Sequence, residues 1–186
     1  MSAPSATPSA GPAGPAGPAG PTGPKQPSGS ADSANAPGER GKPRDLGASG
    51  DLLAHGRAIL AEQPFSVLLG AELTALTPQR AELQLPLRQP LRQQHGFAHG
   101  GVVSYLADNA LTYAGGAAMA APVVTSEYKI NYVRPALGER LIARAECVSR
   151  GRQQAVVRCD VFAVQDGEEK LCAVAQGTIA RKGEAG

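Results

Sequence analysis

Apolar positions recur along the chain with two different periods, and the change from one to the other marks out its elements. Across Asp51 to Glu62 (DLLAHGRAILAE), Leu52, Leu53, His55, Ile59 and Leu60 share one face at helical spacing, and Pro64 ends the segment. The rhythm then turns to two. RAELQLPLR sets Leu83, Leu85 and Leu87 against Glu82, Gln84, Pro86 and Arg88, the alternation of a half-buried strand, with Pro86 pointing to an edge or an irregularity. SEYKINYVR does the same with Tyr128, Ile130 and Tyr132 against Glu127, Lys129 and Asn131. Between them, Gly100-Gly101 is followed by VVSYLADNALTYAGG, about fifteen residues without proline that end in a second glycine pair. At 100° per residue Val102, Val103, Leu106, Ala107, Ala110, Tyr113 and Ala114 gather on one broad side, and Gly101, Ser104, Tyr105, Asp108 and Thr112 on the other.

Three further runs, LIARAECVS, AVVRCDVFAV and LCAVAQGTIA, are β-type and separated by polar, glycine-containing stretches; Asp166-Gly167 signals a tight hairpin turn. The order predicted is a short helix, one or two strands, one long helix and four strands. One long helix against a mostly antiparallel sheet is an α+β layer arrangement.

Composition adds boundaries. From Met1 to about residue 48 the chain is almost wholly Ser, Ala, Pro, Gly and charge, so it cannot bury enough surface to offset its ordering entropy. It reads as a disordered tail, 1–48, ahead of one domain at 49–183. The collagen-like run GPAGPAGPAGPTGP is too short to hold three chains together. The start MSAPSATPSAG has no basic end or apolar core of a secretory signal, and no run reaches the roughly 18 apolar residues of a membrane span, so a soluble, cytoplasmic protein without a membrane partner is expected. Cys147, Cys159 and Cys172 are odd in number and show no C-x-x-C, which predicts reduced packing residues. A net charge of +2 with 4% aromatics gives neither a basic stripe nor a stacking platform, which excludes nucleic acid as the main partner.

The chemistry centres on the long helix. A helix N-terminus offers unpaired N–H groups and partial positive charge, and glycine lets a ligand approach the backbone, so His99-Gly100-Gly101 can receive an oxyanion. Asp108 on the same face completes an acyl-transfer set, although a carboxylate there also suits a plain solvated face. His95 and His99 have no carboxylate or cysteine at ligand spacing, and no metal site is expected.

The HGG at a helix start, the L-A-D-N-A continuation, the preceding Q-x-x-G and the following T-S-E-Y-K-I-N-Y-V-R-P-A closely resemble the hot-dog-fold thioesterases of the PaaI-like, phenylacetate-pathway group, over roughly Pro64 to Arg181. The resemblance implies a curved antiparallel sheet wrapped around the long helix, a homodimer or homotetramer, and hydrolysis of acyl-CoA thioesters with no metal or other cofactor. Carried over by position, Asp108 is the catalytic acid and the Gly101 N–H polarises the thioester carbonyl. Gln93 stands where many members carry Asn six residues before the HGG histidine. One of Thr125 and Ser126 places the attacking water, and His99 supports the helix start. Arg134, Arg150 and Arg152 are candidate clamps for the CoA phosphates, and the small residues of AGGAAMAAP are expected to leave volume for the acyl group. A thioester leaves as thiolate, so a base or nucleophile and a charge stabiliser suffice. Two other readings suit the same fold: an enoyl-CoA hydratase-type enzyme, and a non-catalytic acyl-CoA binding module.

Seven residues separate Gly101 from Asp108, about 10 Å along a helix axis, which is long for two groups acting on one carbonyl. Two such helices placed antiparallel across a two-fold axis remove the difficulty. Active sites shared between chains are therefore expected, with the polar stripe facing a partner.

Overall fold

The computed structural model describes residues 49–183; the stretch 1–48, expected to be a disordered tail, lies outside them. The elements run in the order helix α1 (Ser49–Ala61), helix α2 (Pro64–Leu69), strands β1 (Glu72–Leu76) and β2 (Arg80–Pro86), helix α3 (Gly100–Met119), then strands β3 (Val123–Tyr132), β4 (Arg140–Arg150), β5 (Gln154–Gln165) and β6 (Glu168–Arg181). The strands form one six-stranded sheet in the order β1-β2-β4-β5-β6-β3, every neighbouring pair antiparallel. α3 packs against every strand of that sheet. This is the single long helix wrapped by an antiparallel sheet that the resemblance implied.

The period-two reading of β2 holds, with Leu83, Leu85 and Leu87 buried against α3 and its neighbours. Pro86 does not mark an edge: β2 lies between β1 and β4, and the proline closes the strand at its last residue. The Asp166-Gly167 turn forms as expected. Both residues have positive φ, 52° and 80°, and Gln165 pairs with Glu168 across them.

Two boundaries differ from the sequence reading. Pro64 does more than follow α1, because it sits in the first turn of α2, where its missing N–H costs nothing. Gly70, at φ 74°, caps the other end of that helix, and the Ala71 N–H reaches back to the Ser66 carbonyl at 3.0 Å. The second glycine pair, Gly115-Gly116, does not end α3, which continues to Met119 and a left-handed Ala120. A Cβ on Gly115 would stand 2.7 Å from the Ile179 side chain, so the glycine brings α3 and β6 together instead of stopping the helix. Among the described residues no helix is long and apolar enough to cross a membrane.

Candidate active site

The start of α3 is fixed by local hydrogen bonds. His99 is its N-cap, in extended backbone, and its ring Nδ1 accepts the Gly101 N–H at 3.0 Å. Accepting there requires an unprotonated Nδ1. Gly101 is suited to the place because a Cβ would stand 3.1 Å from that same nitrogen. The His99 N–H donates to the Leu91 carbonyl and the Ala98 N–H to the Ala136 carbonyl, both at 2.9 Å, and the Tyr132 hydroxyl donates to the Gly100 carbonyl at 3.0 Å.

Gln93 is held by the loop before the helix. Its N–H donates to the Phe97 carbonyl and its carbonyl accepts the Gly96 N–H, closing a turn that Gly96 completes at φ 85°. Arg92 ties this loop down by donating to the carbonyls of Gly96 (2.8 Å), Leu87 (2.9 Å) and Gly138 (2.6 Å). The result is a cleft of about 590 Å³ whose walls include Gln93, Gly100, Gly101, Tyr132 and Arg134. Its remaining wall is largely apolar, with Phe97, Val133 and Pro135 among its residues.

Asp108 does not line that cleft. It lies half-buried farther along α3, where its Oδ1 accepts the Thr125 hydroxyl at 2.7 Å. Thr112 stands beside them, 2.9 Å from the Asp108 carbonyl and 2.8 Å from the Thr125 hydroxyl oxygen. Each threonine has one proton, so Thr125 serves the carboxylate while Thr112 serves the carbonyl or Thr125. Among the described residues Oδ2 of Asp108 has no hydrogen-bond partner, and no fully buried side-chain oxygen is unpaired, so Oδ2 is open to solvent. The sequence left Thr125 and Ser126 undecided, and the backbone separates them. β3 is bulged between Thr125 and Glu127, which turns Thr125 to the helix and leaves Ser126 exposed.

The polar stripe of α3 is bounded on both sides. Along β3, Thr125 meets Thr112 and the Tyr128 hydroxyl lies 2.6 Å from that of Ser104. Along the two short helices, the Tyr105 hydroxyl donates to Ser66 Oγ at 2.7 Å and the Tyr113 hydroxyl to the Gly56 carbonyl at 3.2 Å. Burial raises both tyrosines, Tyr113 to about 12, which keeps them as protonated donors that hold the flank. Asp108 lies on the strip between the two flanks.

The three candidate phosphate clamps are not brought together. Arg134 is on the cleft. Arg150 donates to the Ala118 carbonyl at 2.6 Å, at the opposite end of α3, and Arg152 is exposed on the neighbouring β4–β5 turn. Ala118 lies about 25 Å from Gly101 along the helix axis. In AGGAAMAAP, Ala114, Gly115, Ala118 and Met119 are buried within this chain, Ala120 and Pro122 are exposed, and the cleft opens at the other end of the helix. The cysteines are free, as expected. Burial lifts the Cys172 thiol to about 11 and raises Cys147 and Cys159, which leaves all three protonated near neutrality.

Arg92 and Tyr132 were not singled out as site residues by sequence. Of the carbonyls that Arg92 joins, those of Leu87 and Gly96 are close in the chain but that of Gly138 is distant, and Tyr132 reads as one more position in an alternating strand, so neither is marked by a motif.

Comparison with known proteins gives one answer. The family described as the thioesterase superfamily matches residues 95–170. A thioesterase family protein from Silicibacter pomeroyi is 39% identical, with a TM-score of 0.65 over 69% of this chain and 96% of its own. The phenylacetic acid degradation protein PaaI of Thermus thermophilus, in a point-mutant form, is 35% identical, with a TM-score of 0.57 over 64% of this chain and all of its own length, 100%. A Deinococcus radiodurans protein carried under a provisional esterase name is 31% identical over 119 residues, 63% of this chain and 79% of its own.

Proposed function

The chain belongs to the thioesterase superfamily and is a thioester hydrolase, and on that premise we propose that it hydrolyses aryl- or medium-chain acyl-CoA to the free acid and CoA in a homodimer or homotetramer with shared sites. The cytoplasm, where acyl-CoA is made and used, is its proposed location. One observation carries the reading: the cleft that holds Gln93 and Gly101 lacks Asp108, while Asp108 keeps an open carboxylate oxygen on an uncapped strip of the same helix. A two-fold partner brings the helix start of one chain to the aspartate of the other. β3 supports this, because it is an edge strand of ten residues with one side unpaired among the described residues.

In this mechanism the thioester carbonyl lies in the cleft and takes the Gly101 N–H, which His99 Nδ1 accepts in its absence. The exposed imidazole gives way or shares that proton, and the amide stabilises the charge that develops on the carbonyl oxygen. Gln93 orients the carbonyl or the water through its side-chain amide. Asp108 of the partner chain deprotonates the water, or attacks the carbonyl carbon to give an anhydride that water then opens. Thr125 fixes the carboxylate through Oδ1 and leaves Oδ2 for the reaction. The CoA sulfur departs as thiolate, so no general acid and no cofactor is called for. Arg134, on the cleft, is the cation best placed to meet the CoA portion.

The test is thiol release across acetyl-, octanoyl-, benzoyl- and palmitoyl-CoA. Turnover of octanoyl- or benzoyl-CoA is expected. Binding without release of CoA from any of them would turn the assignment to a binding module, and loss of the conjugation absorbance of an enoyl-CoA would turn it to a hydratase.

A further inference from the structure

α2 carries more exposed apolar surface than a solvated helix needs: Phe65 is 57% exposed and Leu68 67%. The two stand three residues apart on one helix and so lie side by side. Phe65 meets Tyr105 edge to face, with ring centroids 5.2 Å apart and planes at 85°, and the Tyr105 hydroxyl is anchored on Ser66 of the same short helix. Tyr105 precedes Asp108 by one helical turn on the polar stripe. α2 therefore flanks one side of the strip on which Asp108 lies, and β3 flanks the other.

The walls differ in chemistry. On the β3 side the hydroxyls of Thr125 and Tyr128 are paired with those of Thr112 and Ser104. On the α2 side, beside the Tyr105–Ser66 hydroxyl pair, the strip is flanked by the exposed Phe65 ring and Leu68. From these positions we infer that Phe65, with Leu68 beside it, forms the acyl-binding wall of the site and selects a bulky apolar acyl group. This rests on the reading that Asp108 works at the thioester. A substituent on the carbonyl carbon beside Asp108 must run along one wall or the other, and an aliphatic or aromatic one gains the larger burial against the exposed Phe65 and Leu68 of α2. A charged or strongly hydrated acyl group would lose water there with nothing to replace it.

The test uses the full chain and two thioethers that cannot be hydrolysed, S-octyl-CoA and S-methyl-CoA, titrated by calorimetry. Phe65→Ala should weaken S-octyl-CoA about tenfold and leave S-methyl-CoA within about twofold, with Phe65→Leu in between. The kcat/KM for octanoyl-CoA should fall in parallel through KM, with that for acetyl-CoA maintained. Equal weakening of both thioethers, no weakening of S-octyl-CoA, or dissociation of the oligomer by Phe65→Ala would each overturn the assignment. Because neither thioether reacts, a protein that binds S-octyl-CoA through Phe65 but releases no thiol from any ester would keep the wall and overturn the catalytic reading alone.

Discussion

Asp108→Asn is expected to lower kcat on the best acyl-CoA substrate by about a hundredfold or more, the usual scale of a lost general base. The effect should be confined to chemistry. Asparagine has nearly the same shape, and its amide oxygen can keep the hydrogen bond from Thr125 that Asp108 Oδ1 accepts at 2.7 Å. The other carboxylate oxygen has no partner to lose among the described residues, so the new amide nitrogen breaks no internal hydrogen bond. Tm should therefore shift little, because no internal hydrogen bond is lost. Retained turnover would remove Asp108 from the mechanism. A large fall in Tm would make the loss structural.

Gly101→Pro is expected to cost on the order of a hundredfold to a thousandfold in kcat, as for removal of one preorganised oxyanion donor. The substitution deletes the N–H, and the ring it adds meets the His99 imidazole. Gly101 lies in the first turn of α3, where its N–H makes no helical bond and proline is tolerated. That N–H donates to His99 Nδ1, and without it the exposed imidazole can turn aside. Circular dichroism and Tm close to those of the unaltered protein would confirm that α3 still starts there. Full activity would show that the carbonyl is polarised elsewhere.

Much of the fold is legible in the sequence because its signals are local. The alternation at Leu83, Leu85 and Leu87 and the left-handed pair Asp166-Gly167 each depend on neighbours in the chain, and each gives the right element. What sequence misses is decided by distant contacts. Gly115-Gly116 looks like a helix stop, but Gly115 meets Ile179 on β6, an approach that no local pattern announces. α2, at six residues, is too short to show a period. At the candidate site the motif points to Asp108, Gly101 and Gln93, of which the cleft holds the last two, while the choice between Thr125 and Ser126 depends on a bulge in β3 where it pairs with β6. Volume was expected beside the small residues at the far end of α3; it lies at the start of the helix, where Arg92 draws three separate carbonyls together.

The shared site is the claim on which the mechanism turns, and mixing the two inactive variants tests it most directly. Asp108→Asn and Gly101→Pro chains, unfolded together in equal amounts and refolded, form mixed dimers in half of all assemblies. In each mixed dimer one site joins an intact Gly101 to an intact Asp108 from the other chain, and the second site carries both lesions. Activity should therefore return to about a quarter of that of the unaltered protein. If mass spectrometry finds mixed dimers and activity stays at the level of the separate variants, each chain builds its own site and the account is contradicted.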